Sequence, residues 1–119
     1  MPKQSEIRFS VELDDNNFID KIFWRASDAP NASLSEAKAV AMSVWDHTNH
    51  ETLRIDLWTQ DMPIPDMKRL CLDTLFGLAD TIQEATDDEF MAQRMHELCE
   101  EFVEHLKKES QQPKNTGNS

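Results

Sequence analysis

Two histidines, His47 and His50, stand three residues apart and are flanked by Asp46 and Glu51. Imidazole and carboxylate groups bind zinc, but a zinc site needs three or four of them in tetrahedral geometry. The segment is rich in turn-forming residues, and a turn does not hold residues three apart on one face as a helix does. We interpret it as a solvated turn, and we predict no metal site and no cofactor.

A second group that could do chemistry comprises His96, Cys99 and Glu100, which lie within about one turn of a predicted helix. A cysteine–histidine nucleophile also needs an orienting group and a pocket, and the sequence indicates neither. Cys99 falls in an apolar stripe, where a buried cysteine behaves as a small hydrophobic residue. There is no Cys-x-x-Cys pair and no glycine-rich phosphate loop. We therefore predict no catalytic residues and no enzymatic activity.

The elements that would position these residues change from strands to helices along the chain. Apolar and polar residues alternate in segments 7–13, 18–26 and 52–59, which predicts strands with one apolar face each. Asp14 to Asn17 favour a turn, so the first two strands are predicted to form a hairpin. The segment 27–35 is predicted to be a loop.

A fourth strand is predicted from about Lys38 to Trp45, because Val40, Met42 and Val44 alternate there with Ala41, Ser43 and Trp45. The alternative is a helix over residues 34–42, since Ser33–Glu36 resembles a capping box. With the strand, the chain forms a four-stranded antiparallel sheet made of two hairpins. Leu53, Ile55 and Leu57 are then predicted to face the core.

Two helices are predicted after the strands. The first runs from Pro65 to about Ala85 and is apolar over most of its circumference, with Cys71 among its apolar residues. The second begins at a threonine cap, Thr86, and ends near Lys108. We expect one α+β domain over residues 1–109, with both helices packed on one face of the sheet, and a disordered polar tail over 110–119. The four methionines at 42, 67, 91 and 95 are assigned to core faces.

Large aromatic residues are grouped on the sheet face that is predicted to point outward. Tryptophan and arginine are typical of the centres of protein interfaces, although cross-strand pairing alone would also stabilise a hairpin. We predict a partner-binding surface on this face, formed by Phe23, Arg25, Trp45, Arg54, Asp56 and Trp58. The partner could be a second copy of the chain, and we expect a homo-oligomer.

Composition limits the partners. The chain of 119 residues has 23 acidic and 12 basic residues and a net charge of −11. Such a surface repels phosphate backbones and anionic lipids, so nucleic acid and membrane binding are disfavoured. No apolar run has the roughly 20 residues that a membrane-spanning helix needs, and the first residues show no signal-peptide pattern. We expect a cytoplasmic protein, either free or held at the inner membrane by a partner.

The sequence resembles the gliding-motility protein GldC family. Its most distinctive segment is Leu53–Pro63, with the letters LRIDLWTQDMP. Shorter matches are Ser5–Ile7, Val11–Asp14, Ile22, Trp24, Glu36–Ala39, Val44–Asp46, Ala79–Thr81 and Ala85–Thr86. The resemblance covers residues 5–106. It implies an accessory protein of bacterial gliding machinery, with no known enzymatic activity and no catalytic residues to assign.

A weaker analogy concerns the order of the elements. Four antiparallel strands followed by two helices is also the layout of the export chaperone SecB, which is similarly acidic. Fold analogy alone says little about function. It suggests an alternative hypothesis, an oligomeric holdase that binds unfolded client segments on an apolar surface.

Overall fold

The computed structural model describes residues 3–27 and 34–111. Five strands precede two helices in these ranges. Their bounds are β1 (Ile7–Leu13), β2 (Ile19–Ala26), β3 (Ser35–Ala37), β4 (Ala39–Asp46), β5 (Glu51–Trp58), α1 (Ile64–Thr86) and α2 (Glu89–Gln111). The strands belong to one compact unit, Met1–Pro63, and the helices to a second, Ile64–Ser119.

The first sheet has the order β1-β2-β3 and is antiparallel throughout. The turn between β1 and β2 is built on Asp14, whose Oδ1 accepts the backbone N–H groups of Asn16 at 2.8 Å and Phe18 at 3.0 Å. The hydrogen bond from Phe18 is the main reason why the pKa of Asp14 lies below its ordinary value. Asn17 adopts a φ of 65°, which asparagine tolerates better than most residues. The predicted hairpin is confirmed.

The second sheet pairs β4 with β5, so the predicted single four-stranded sheet is wrong. The predicted strand over Lys38–Trp45 is present, but Lys38 interrupts a longer extended segment and divides it into β3 and β4. Residues 35–37 and 39–46 are strands, which decides against the alternative helix over 34–42. Residues 28–33 of the predicted loop lie outside the described residues.

The interruption at Lys38 coincides with bonds to residues that follow β5. The carbonyl of Lys38 accepts the N–H of Thr59 at 2.8 Å, while its ammonium group forms an ion pair with Asp61 at 3.0 Å. The hydroxyl of Thr59, which is buried, donates to the same carboxylate at 2.7 Å. The next residue, Gln60, donates its N–H to the carbonyl of Ile19 at 3.3 Å and its side-chain amide to Asp14 at 2.9 Å. This junction, Lys38 with Thr59–Asp61, ties the end of β5 to both sheets.

The apolar rows of the strands are less covered than the alternation predicts. Ile22 of β2 is fully buried, but Ile7 of β1 is 67% exposed. Leu53 and Ile55 of β5, which were expected to face the core, are 47% and 49% exposed. Strand pairing by itself therefore covers little of the apolar surface of the strand unit.

The ends of both helices differ from their predicted bounds by one to three residues. The predicted cap of α2 is wrong. Asp88, not Thr86, accepts the N–H of Met91 through its side chain, at 3.0 Å. Thr86 instead ends α1, where its hydroxyl donates to the carbonyl of Ile82 at 2.7 Å. Asp87, at a φ of 58°, reverses the chain between them. Threonine and aspartate are both favoured cap residues, so the sequence does not distinguish the two positions.

The helices form an antiparallel hairpin. Lys68 near the start of α1 pairs with Glu109 near the end of α2 at 3.0 Å, and Asp80 pairs with His96 at 3.3 Å. The buried side chains of the helices are small, as in Ala79, Ala92 and Cys99. Small residues allow helices to approach closely, and the two polar contacts join the helices near both ends of the hairpin.

The sequence assigned both cysteines to the apolar side of the helices, which is correct for Cys99 and wrong for Cys71. Cys99 is buried and Cys71 is exposed, and both are free thiols. Of the methionines assigned to the core, Met91 is 46% exposed, whereas the other three are half-buried. Residues 110 and 111 belong to α2 rather than to the predicted tail, and residues 112–119 lie outside the described part of the chain. The packing of the helices on a sheet face stays a prediction.

Candidate protein-binding surface

The outward side of the β4–β5 hairpin carries four of the six residues that the sequence assigns to a binding surface. Cross-strand partners share a face, and the register pairs Trp45 with Thr52, Ser43 with Arg54, Ala41 with Asp56 and Ala39 with Trp58. We call the set Trp45, Arg54, Asp56 and Trp58 the tryptophan ladder. Small side chains stand opposite the charged pair, so the centre of the ladder is a shallow trough.

Arg54 and Asp56 form the centre of the ladder. The guanidinium donates twice to the carboxylate, from Nη2 at 2.6 Å and from Nε at 3.2 Å, and its Nη1 donates to Ser43. These bonds hold the arginine in one geometry before a partner arrives, which reduces the entropy lost on binding. The two charges also cancel, so the ladder is neutral on a chain of net charge −11.

The two tryptophans stand at opposite ends of the ladder. Trp45 is 64% exposed and Trp58 is 53% exposed, although large aromatic residues usually gain stability from burial. Thr52, which pairs with Trp45, is six residues before Trp58, a distance of about 20 Å along a strand. The two rings therefore cannot form one aromatic cage, and they would contact separate parts of an extended partner.

The other two predicted residues, Phe23 and Arg25, lie in the first sheet. Phe23 is half-buried and pairs with Ser10 and Glu36, while Arg25 pairs with Arg8. The expectation that they share one sheet face with the tryptophans assumed a single sheet and is wrong for that reason. The period of two along each strand is correct, but the sequence does not reveal that the chain changes sheet at Lys38.

The turn with the two histidines has a structural explanation. Asp46 accepts the backbone N–H of Asn49 through its side chain at 2.6 Å and that of His50 through its carbonyl at 3.0 Å. His50 packs edge-on against Trp45, with ring centroids 6.5 Å apart. Across residues 3–27 and 34–111, no three histidine, cysteine or acidic side chains form a group that could hold a metal ion.

The second candidate group is held by the helix pair. His96 contacts the ring of Phe76 at 4.9 Å between centroids and pairs with Asp80. Burial raises the pKa of the Cys99 thiol, which opposes formation of the thiolate that a nucleophile requires. The histidine and the cysteine therefore contribute to packing between helices, and the geometry supplies no activated nucleophile.

Sequence reasoning did not identify an apolar groove between α1 and α2. It has a volume of about 280 Å³ and is lined by Met67, Lys68, Cys71, Leu72, Phe102, His105 and Leu106. The exposed thiol of Cys71 opens into it. At its edge, the hydrogen bond from Lys68 lowers the pKa of Glu109, which also lies 3.4 Å from His105. Helical periodicity could indicate the lining residues but not the gap between them.

Comparison with protein-family models assigns the chain to a family. It is an α+β protein whose strands precede its helices, and the model of the gliding motility-associated protein GldC-like family matches residues 19–108. This chain belongs to that family. The matched range includes the tryptophan ladder, the junction and most of both helices, whereas β1 precedes it.

Other comparisons add no further constraint. No curated protein and no solved structure matches the chain, so no relative assigns roles to individual residues. Within the described residues, neither helix is long and apolar enough to cross a membrane. The family is not known for an enzymatic activity.

Proposed function

We propose that this chain is a non-catalytic accessory protein of a bacterial gliding-motility or envelope-associated machinery, and that it acts as an adaptor. It binds a protein component of that machinery through the tryptophan ladder. It works in the cytoplasm, free or held at the inner membrane by its partner. The proposal rests on family membership for the context and on the ladder for the mode of action.

The single observation that carries the binding mode is the pair of exposed tryptophans on either side of an ordered Arg54–Asp56 pair. Tryptophan and arginine dominate binding energy at protein interfaces because they bury large areas and lose little side-chain freedom. The neutral ladder lets a partner approach without the repulsion that the rest of this acidic chain would exert on acidic proteins. An extended segment of a partner could contact both tryptophans and lie over the small residues between them.

The test is capture of gliding-machinery proteins by the crosslinked, tagged chain in its native cell. Trp58→Ala and Arg54→Ala should each reduce capture at least about tenfold, as expected for residues at the centre of an interface. Arg69→Ala is the matched control, because Arg69 makes a similar twofold contact with Asp73 on α1, at 2.9 and 3.1 Å.

Circular dichroism should be unchanged in all three variants. Unchanged capture by both ladder variants would contradict the assignment of the surface. Equal loss in the Arg69→Ala control would show that the effect is a general consequence of removing an arginine.

A further inference from the structure

The inward side of the β4–β5 hairpin is also partly exposed. Its cross-strand pairs are Val40 with Leu57, Met42 with Ile55 and Val44 with Leu53, and we call these six residues the apolar face. Val44, Leu53 and Ile55 are 48%, 47% and 49% exposed, and the other three are half-buried. A two-stranded hairpin is marginally stable unless such a face is covered.

We propose that the apolar face is a self-association surface, on which a second copy of the chain packs the same face across a two-fold axis. This proposal goes beyond the proposed adaptor function, because it concerns the opposite side of the hairpin. Two apolar faces packed about 10 Å apart would form the core of a small sandwich. Both tryptophan ladders would then remain outside and available for partners.

Charge favours a second copy as the occupant. The chain has a net charge of −11, so two copies repel each other over most of their surfaces. None of the six residues of the apolar face is charged, which makes this face a place where two copies can approach. A symmetric dimer uses one patch twice, and an apolar, uncharged patch is complementary to itself.

The ends of the face suggest its orientation in the dimer. Asp46 and Glu51 form the cross-strand pair that follows Val44 and Leu53 at the turn, whereas Lys38 precedes Val40 at the other end. Lys38 is already paired with Asp61 at 3.0 Å, so its end of the face is close to neutral, and antiparallel packing of two hairpins keeps the acidic ends of the two copies apart. The Met42–Ile55 pair lies at the centre, so we expect it next to the two-fold axis.

The size of the face sets the strength of the dimer. Each strand has eight residues, so the hairpin face is about 27 Å long and about 10 Å wide. Interfaces that bury less than about 1,200 Å² in total are typical of weak or transient complexes. We therefore expect a reversible dimer whose population rises with protein concentration. Added salt should strengthen it by screening the repulsion between the acidic copies.

The experiment measures mass by light scattering or sedimentation over a series of concentrations. The wild-type chain should rise from 13.8 kDa towards twice that mass, whereas Ile55→Lys should stay monomeric throughout. Thr52→Lys is the matched control, because it places the same side chain on the same strand but on the opposite face. It should dimerise like the wild type.

A complementary pair of variants tests whether loss of the dimer is caused by loss of folding. Ile55→Lys and Ile55→Glu should each be monomeric alone and should form a mixed dimer when combined, because opposite charges then meet near the axis. A dimer retained by Ile55→Lys, or no mixed dimer, would overturn the proposal. A wild-type chain that is monomeric at every concentration would also overturn it. Protection of the apolar face from hydrogen exchange in that monomer would then indicate cover by the chain's own helices. Suppression of the aggregation of an unfolded protein would indicate a holdase.

Discussion

The α1–α2 hairpin and the β4–β5 hairpin are held together by different kinds of contact. Between α1 and α2, an ion pair from Lys68 to Glu109 and a contact between Asp80 and His96 join the two helices, and small buried residues permit close approach. The β4–β5 hairpin has no comparable closure, and both of its faces are about half exposed. It is anchored instead at one end, by the buried Thr59 in the junction.

The difference shows which surfaces are available for other molecules. The helix pair also exposes large apolar side chains, with Phe76, Phe90 and Phe102 at 49%, 74% and 43%, but small residues bring its two backbones together. A strand pair whose backbone is fixed at one end can hold side chains outward without burying them. The residues with the strongest features of an interface are accordingly found on the strands.

Two optical signals allow the two units to be followed separately. All three tryptophans, at positions 24, 45 and 58, belong to the strand unit. Tryptophan fluorescence therefore reports on the strands, while circular dichroism at 222 nm reports mainly on the helices. A substitution that acts on one hairpin should shift the urea midpoint of its own signal more than that of the other.

The largest effect is expected from Ala79→Leu. Ala79 is fully buried in α1, so three additional carbon atoms have no space and should cost about 1–3 kcal/mol of unfolding free energy. The urea midpoint measured at 222 nm should fall more than the one measured by fluorescence. Ala85→Leu is the matched control, since Ala85 lies on the same helix and is exposed. Its midpoint should be unchanged, and an equal loss in both variants would contradict close packing at Ala79.

The sequence predicts the parts of the fold that depend on local pattern. The alternation in residues 7–13 and 52–59 and the helical pattern after Pro65 identify elements to within a few residues, because each reflects its own periodicity. The exposed tryptophans could also be identified, since a period of two assigns each one to a strand face. These features need no knowledge of distant residues.

What the sequence does not reveal depends on contacts between distant residues. The division of one extended segment at Lys38 arises from bonds to Thr59 and Asp61, more than twenty residues away. No local propensity indicates it, so the sequence assigned Phe23 and Arg25 to the same sheet face as the tryptophans of β4 and β5, although they lie in the other sheet. The cap of α2 was missed for a different reason, because Thr86 and Asp88 are both good capping residues. The choice between these two cap residues is visible only in the folded structure.

A smaller effect is expected from Thr59→Val. The substitution keeps the shape of the buried side chain and removes the hydroxyl that donates to Asp61 at 2.7 Å, at a cost of about 1 kcal/mol. Here the fluorescence midpoint should fall more than the midpoint at 222 nm, the reverse of Ala79→Leu. Thr52→Val, at an exposed position on β5, is the control and should not destabilise. If Thr59→Val is also neutral, the junction does not anchor the strand hairpin.

The smallest effect on stability is expected when the ion pairs of the two units are compared at acidic pH. Hydrogen bonds from Thr59 and Lys38 lower the pKa of Asp61 below its ordinary value of 3.8, and the bond from Lys68 lowers that of Glu109 below 4.5. A lowered pKa means that the folded state binds the proton less readily than the unfolded state. Each carboxylate therefore stabilises the fold above its ordinary pKa, and this contribution is lost as the pH falls through the lowered value.

Asp61→Asn and Glu109→Gln remove these contributions at neutral pH, so each variant should have a slightly lower urea midpoint than the wild type at pH 7. Both pairs are exposed and screened by solvent, which keeps the differences small. The difference should shrink as the pH falls below the ordinary values of 3.8 and 4.5 and through the lowered pKa values of the two carboxylates. Asp15→Asn, an exposed carboxylate in the β1–β2 turn, controls for the change in net charge. We expect the fluorescence midpoint to report the Asp61 variant and the midpoint at 222 nm to report the Glu109 variant. A difference from the wild type that does not shrink as the pH is lowered would show that the substitution acts through packing rather than through charge.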